Sequence, residues 1–244
     1  MTGTLTIAGL GPGDKALITP EVSAALAGAT DILGYAPYVA RVPAREGLTL
    51  HPSDNRMELQ RAGEALRLAS EGRHVVVVSS GDPGVFAMAS AVFEALEASP
   101  QSPGLAIRVL PGVTAMLAAA ARAGAPLGHD FCAINLSDNL KPWSTIEKRL
   151  RLAAEADFAI ALYNPRSASR PDGFARALEI LEAAGCGSRV MIFAHAVSTA
   201  AERIEVVALH EARPEMADMR TLVIVGNSAT RRVGQWVYAP RHAR

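Results

Sequence analysis

Short apolar runs separated by segments of helical period constrain this chain more than any other feature. Runs over 4–9, 30–33, 74–79 ("HVVVVS") and 105–110 each suit one buried strand, and helical spacing recurs near 20–28, 57–71 and 86–97. Buried strands alternating with helices are the sequence form of an α/β fold. The second half starts again with "FCAINL" and continues through "DFAIALY", "RVMIFAH", "RIEVVAL" and "TLVIVG", with helices near 143–155 and 172–184. It has more strands for its helices, so part of its sheet is predicted antiparallel. Small residues and a proline interrupt the helical pattern at "AGAPLGHD", residues 123–130, which predicts domains over 1–122 and 123–244. The tail "YAPRHAR" is expected to fray.

Half of the 244 residues are hydrophobic, enough for one large core or two ordinary ones, and two domains of roughly 120 residues each are typical of this length. The 24 basic and 24 acidic residues cancel, which argues against a protein that holds nucleic acid by bulk electrostatics. Lys15, Lys141 and Lys148 are the only lysines, and arginine, which dominates the basic residues, suits forked recognition of carboxylates as well as reflecting codon bias. Cys132 and Cys186 have no metal-ligand spacing and suggest no disulfide framework. With no basic leader and no apolar stretch of about 20 residues, a cytoplasmic, unprocessed chain without membrane partners is expected.

Ligands of open α/β sheets bind at the carboxyl ends of strands, so the residues after each apolar run carry the information. "GLGPGD", Gly9 to Asp14, follows the first strand. A dinucleotide loop needs a third glycine where Asp14 stands, and Pro12 removes an amide that could hold an anion. Asp31 begins the second strand, whereas a ribose-binding acid belongs at its far end. The loop therefore reads as a tight turn, either facing a substrate or merely connecting. "SSGDPGVFAMA" places Gly81, Asp82, Pro83, Gly84 and Val85 between strand and helix, with Asp82 able to cap that helix or favour a cation. "PGVTA" repeats the arrangement with Thr114 and Ala115. "NLSDNLKPW", "LYNPRSASR", "FAHAVST" and "VIVGNS" occupy corresponding places in the second half. Arg166 and Arg170 suit an anion, and His195 reads as either a satisfied core histidine or a functional one. The motifs of zinc proteases, paired-cysteine metal sites, serine hydrolases and P-loop enzymes are absent, and no metal site is expected.

"GLGPGD", "LGYAPYV", "SSGDPGVFAMA", "PGVTA", "NLSDNLKPW", "LYNPRSASR" and "VGNS", in this order and over nearly the whole chain, resemble the tetrapyrrole (corrin/porphyrin) methyltransferase family. The resemblance implies two αβα domains with a ligand cleft between them, a homodimer, and S-adenosylmethionine as methyl donor, leaving S-adenosylhomocysteine. It implies that Leu10, Gly81 to Val85, Thr114, Ala115, Tyr163, Asn164, Ala194, His195, Ala196, Thr221 and Leu222 surround the cofactor. Gly11, Pro12, Gly13, Arg166 and Arg170 would face a precorrin. "LGYAPYV", "LSDNLKPW" and "LYNPRSASR" are similar to the branch acting at C-17 of precorrin-3B, with ring contraction, in cobalamin biosynthesis. The chain departs from that branch at "SDNRMELQRAGEAL", where a Gly-Met-Thr-like segment is usual, so no role is carried to Ser53 to Arg56.

Methyl transfer to an electron-rich macrocycle needs alignment and exclusion of water but no nucleophilic side chain. Contraction at a hydroxylated meso carbon is acid–base chemistry. Asp14, Ser137, Asp138 and His129 are the candidate groups, and Asp14 reads equally as a turn cap. The rival readings are a sibling enzyme methylating another corrin carbon, a non-catalytic tetrapyrrole-binding protein, and a nicotinamide oxidoreductase.

Overall fold

The computed structural model describes residues 3–99 and 104–242, and the chain divides into two units, Met1–Thr114 and Ala115–Arg244. The first unit runs β1 (Thr4–Gly9), α1 (Pro20–Gly28), β2 (Asp31–Tyr35), α2 (Ala36–Val39), β3 (Thr49–Ser53), α3 (Glu58–Ser70), β4 (His74–Ser79), α4 (Met88–Glu97) and β5 (Ala106–Leu110). Its strands form one sheet of order β3-β2-β4-β1-β5, every pairing parallel. Alternation along the strands feeds two cores. Leu5, Ile7, Val75 and Val77 pack with α3 and α4 on one face, and Ala8, Val76 and Val78 pack with Val22 of α1 and Val39 of α2 on the other. A strand covered on both faces must be apolar at every position, which is why "HVVVVS" reads as a continuous run.

The second unit contains α5 (Ala115–Ala123), β6 (Gly124–Ala125), β7 (Phe131–Asn135), α6 (Trp143–Glu155), β8 (Ala159–Tyr163), α7 (Gly173–Ala183), β9 (Val190–His195), β10 (Arg203–Ala208), β11 (Thr221–Val225), β12 (Arg231–Val233) and β13 (Trp236–Tyr238). The main sheet has the order β10-β9-β11-β8-β7. β7 and β8 are parallel and the other pairings antiparallel, as the ratio of strands to helices predicts. Ile160, Leu162, Phe193, Val223 and Val225 pack with α6 and α7 in one core, while α5 covers β11 and β10. The "AMLAAAARA" sequence of α5 buries Ala118, Ala119, Ala120 and Ala123, whose small side chains permit a close approach to the sheet.

The periodicity of the sequence misses β3, β6, β12, β13 and α2. β3, "TLHPS", is a polar edge strand, and an edge is where Pro52 is tolerated. The tail is corrected in part: Tyr238 pairs with Arg231 and Ala125, and Ala239 N donates to Ala125 O at 3.0 Å. Residues 243 and 244 of that tail lie outside the described residues.

Candidate active site

The parallel strands of the N-terminal sheet end at Gly9, Tyr35, Ser53, Ser79 and Leu110, so the loops that follow share one edge. β4, β1 and β5 are neighbours, and their loops touch backbone to backbone. Leu10 N donates to Ser79 O at 2.8 Å, Gly11 N to Gly81 O at 3.2 Å, and Gly81 N to Gly11 O at 3.0 Å. A Cβ on Gly9 would lie 2.5 Å from Gly81 O, and one on Gly112 would lie 2.2 Å from the same atom. The glycines of "GLGPGD" and "PGVTA" thus permit contact between loops far apart in sequence. Gly11 also takes φ +67° and Gly81 φ +64°, a region that disfavours a side chain.

Asp82 joins two of these loops. Its Oδ1 accepts Gly84 N at 2.8 Å and its Oδ2 accepts Gly112 N at 3.1 Å. Pro83 and Thr114 are buried, while Gly84 is exposed and a Cβ there would meet only Asp82 Oδ1 at 3.2 Å. Leu10 is buried in the sheet's second core, and Pro12 and Gly13 are half-buried. Asp14 is exposed and caps the 3-10 helix Lys15–Leu17, its Oδ1 accepting Ala16 N at 2.9 Å.

Arg41, overlooked in the sequence, organises the glycine loop. Its guanidinium donates to Leu10 O at 2.5 Å, Gly11 O at 3.0 Å and Gly13 O at 3.1 Å. A lone arginine after "LGYAPYV" carries no motif, so only the fold reveals this.

In the C-terminal unit β7, β8 and β9 end at Asn135, Tyr163 and His195, and β11, antiparallel to β8 and β9, begins at Thr221 on the same edge. Tyr163 Oη accepts Met116 N at 3.2 Å, which brings it to the N-terminus of α5 beside Ala115. Asn164 adopts φ +51°. Its Nδ2 donates to Asn135 Oδ1 at 3.1 Å, an oxygen that also accepts Ser137 N at 2.9 Å. Arg166 and Arg170 close their own loop through Pro171 O and Asn164 O, each at 3.3 Å.

Lys141 is another residue to which no sequence motif gives a role. It donates to Ser137 O at 2.8 Å. Burial lowers its pKa, Arg149 and Arg170 lower it further, and Asp138 opposes them. Lys141, held on Ser137 O, therefore feels a group of charges made up of Arg149, Arg170 and the exposed Asp138. His129 is not part of it. It precedes β7, 3.6 Å from Asp130, about 17 Å of strand away from Ser137.

Strand alternation splits the remaining candidates. Ala194 pairs with Leu222, and His195 with Thr221, so successive residues point to opposite faces. Phe193 and Val223 lie in the α6–α7 core, which puts His195 and Thr221 on that side and Ala194 and Leu222 on the side of α5. A pocket of about 290 Å³ lies beside His195 and Thr221, with Arg203, Glu205 and Asp218 in its lining. Thr221 Oγ1 donates to Asp218 Oδ1 at 2.7 Å, and His195 Nδ1 is 3.3 Å from the same oxygen. Burial raises the Asp218 pKa, but the Thr221 hydroxyl, the Arg220 amide and His195 outweigh it and hold it below the ordinary value. Ala196 and Ser198, just beyond, adopt φ +47° and +63°, conformations that concentrate at ligand sites. Ser198 Oγ is buried without a hydrogen-bond partner among the described residues.

Fold and loops together define an α/β protein whose two five-stranded sheets each gather glycine-rich or backbone-strained turns at one edge. The chain belongs to the tetrapyrrole (corrin/porphyrin) methylases, whose family model matches residues 4–213. A precorrin-3B C(17)-methyltransferase from Sinorhizobium sp is 52% identical, over 99% of this chain and 97% of its own length. A crystal structure titled as the methyltransferase CobJ is 69% identical with a TM-score of 0.96, covering 98% of this chain and 100% of that one. A uroporphyrin-III C-methyltransferase from Thermus thermophilus, solved with S-adenyl homocysteine, is 24% identical with a TM-score of 0.70, covering 92% of this chain and 97% of that one. At that identity the likeness shows the fold.

Proposed function

We propose that the chain transfers a methyl group from S-adenosylmethionine to C-17 of precorrin-3B, with ring contraction, in cobalamin biosynthesis. The observation that carries this reading is 52% identity, over 99% of the chain, to a relative bearing that name. The chain's own residues fit the cofactor. Gly84 is exposed and presents bare backbone, where an added Cβ would meet Asp82 Oδ1 at 3.2 Å, and Ser198 offers a buried hydroxyl without a partner among the described residues. When bound, S-adenosylmethionine supplies an electrophilic methyl group. Leu10, the turn Gly81 to Val85, Thr114, Ala115, Tyr163, Asn164, Ala194 to Ala196, Thr221 and Leu222 would hold it. Gly11 to Gly13, Arg166 and Arg170 would orient the macrocycle, with Lys141 adding charge beside Arg170.

Of the candidates for moving the contraction proton, Asp14 has support as an exposed carboxylate after the glycine loop, with one oxygen outside its cap. Ser137 and Asp138 have the Lys141 ammonium nearby, bonded to Ser137 O and acted on by the Asp138 charge. Asp14→Asn is expected to consume the methyl donor in a single turnover and accumulate a methylated, uncontracted macrocycle; contraction at the wild-type rate removes Asp14 from the step. The chain acts as a cytoplasmic homodimer in this reading, supported by the exposed Val233 and Trp236 of the β12–β13 hairpin, and sedimentation tests it.

Thermal shift with S-adenosylhomocysteine and with NAD separates the rivals, because a ligand raises Tm only if the native state binds it. A shift with the first alone, followed by a C-17 methylated, contracted product in mass and absorption spectra, is expected. Methylation at another carbon would indicate the sibling enzyme, and tetrapyrrole binding without a methyl donor would indicate a binding protein. Gly84→Val should fold and lose affinity for S-adenosylhomocysteine; unchanged affinity contradicts the assigned turn.

A further inference from the structure

A second set of polar groups lies on the N-terminal edge, away from the glycine contacts. Tyr35, the last residue of β2, pairs with Ser53, the last residue of β3. Arg61 of α3 is 6% exposed. It reaches this strand end with Nε on Ser53 Oγ at 2.8 Å, one terminal nitrogen on Asp54 O at 2.9 Å and the other on Met88 Sδ at 3.2 Å. The Tyr35 and Tyr38 rings meet edge to face at 5.3 Å. Arg41 follows on the same connection and lies close enough to Tyr38, as does Arg61, for both charges to favour the phenolate.

No carboxylate among the described residues forms an ion pair with Arg41 or Arg61. Burial lowers the pKa of each, and the acid opposing this at Arg61 is Glu58, acting without an ion pair. Neither Tyr35 nor Tyr38 hydroxyl is hydrogen-bonded within the described residues. A guanidinium has five N–H donors, and each of these spends three on neutral acceptors. Arg61 is buried and Arg41 half-buried, and a cation withdrawn from water without a counter-charge is costly to hold. Asp31 shows what this unit builds when a charge is to be neutralised internally: that buried carboxylate receives Arg73 through two hydrogen bonds, together with His51 and Thr30.

We propose that Arg41 and Arg61, with the Tyr35 and Tyr38 hydroxyls, form an anion subsite at the carboxyl end of β2 and β3 that takes a carboxylate side arm of the substrate. The assignment rests on the tetrapyrrole reading above. It gives a function to "LGYAPYV" and to the segment after β3, where the chain departs from its branch. The carboxylate supplies the missing counter-charge, and charge-assisted, forked hydrogen bonds fix its direction. Arg41 also holds the glycine loop, so the arm and that loop are oriented by a single guanidinium.

The test compares wild type with Arg61→Met and Arg61→Lys, using uroporphyrin, a soluble tetrapyrrole with carboxylate side arms, and S-adenosylhomocysteine as a separate probe. Arg61→Met is expected to weaken uroporphyrin binding about tenfold or more, leave S-adenosylhomocysteine affinity unchanged, and keep Tm at or above wild type because an uncompensated charge is gone. Arg61→Lys should recover part of the affinity. A purely structural arginine would instead lower Tm and both affinities together, which overturns the proposal. Equal uroporphyrin affinity in wild type and both variants overturns the subsite alone, whereas no uroporphyrin binding by wild type overturns the tetrapyrrole reading and the subsite with it. Should Arg61→Met be insoluble, Arg61→Gln carries the same comparison.

Discussion

The two five-stranded sheets hold their loop-bearing edges by different means. At the N-terminal edge, loops from β1, β4 and β5 lie backbone against backbone, with glycine at the points of closest approach. At the C-terminal edge, side chains make the connections: Asn164 to Asn135, Tyr163 to the start of α5, and Thr221 to Asp218. There the left-handed positions carry Asn164, Ala196 and Ser198 rather than glycine. A parallel sheet brings several loops to one edge at strand spacing, so backbone contact is the economical link. A mixed sheet alternates chain directions, places fewer loops there, and bridges them with longer groups. The first edge should be intolerant of an added atom at Gly9 and Gly112, where backbone meets backbone, and the second should lose stability one hydrogen bond at a time.

Gly112→Ala tests the first half of that contrast and should have the largest effect. Its Cβ would sit 2.2 Å from Gly81 O, backbone that cannot swing aside. A loss of about 3 kcal/mol or more is expected in urea unfolding; an unchanged midpoint would show that the loops can separate freely.

Asp31→Asn comes next and concerns the opposite end of the N-terminal sheet, where side chains bond to one another rather than to loop backbone. Burial raises the Asp31 pKa, but hydrogen bonds from Arg73, His51 and Thr30 outweigh it and bring it below 3.8. A depressed carboxyl pKa stabilises the fold above the unfolded value, and that contribution fades as pH falls through the folded one. The substitution should cost about 2–3 kcal/mol near neutrality and flatten the acid limb of a stability–pH profile. A limb as steep as wild type would mean that other carboxylates govern it.

Smaller changes sharpen the second half. Tyr163→Phe removes the acceptor of the Met116 amide and should cost about 1 kcal/mol, with weaker S-adenosylhomocysteine binding in calorimetry. Ser198→Ala should change stability least. Its hydroxyl has no partner to lose, so unfolding should shift by no more than about 0.5 kcal/mol while cofactor affinity falls. A large stability loss would indicate a structural hydroxyl and remove it from the cofactor site.

The sequence by itself determined the elements that are periodic and buried. The α/β class, β1, α1, β4 and α6 are legible because side-chain period is a local property, repeated every two residues in a strand and every 3.6 in a helix. β3 and the β12–β13 hairpin were not, because they are short, polar or exposed and carry little period. The candidate loops were also legible as glycine, proline and charged residues following apolar runs. Tertiary structure alone decided what those residues touch. Gly9, Gly81 and Gly112 meet because strand order places β4 and β5 on either side of β1. Ala194 and His195, adjacent in sequence, face opposite sides of a sheet. Arg61 carries no motif, and its significance is the ion-paired carboxylate that no described residue brings to it. Pairing partners are set by contacts across long separations, where local spacing carries no information, and a missing counter-charge is visible only after every neighbour is in place.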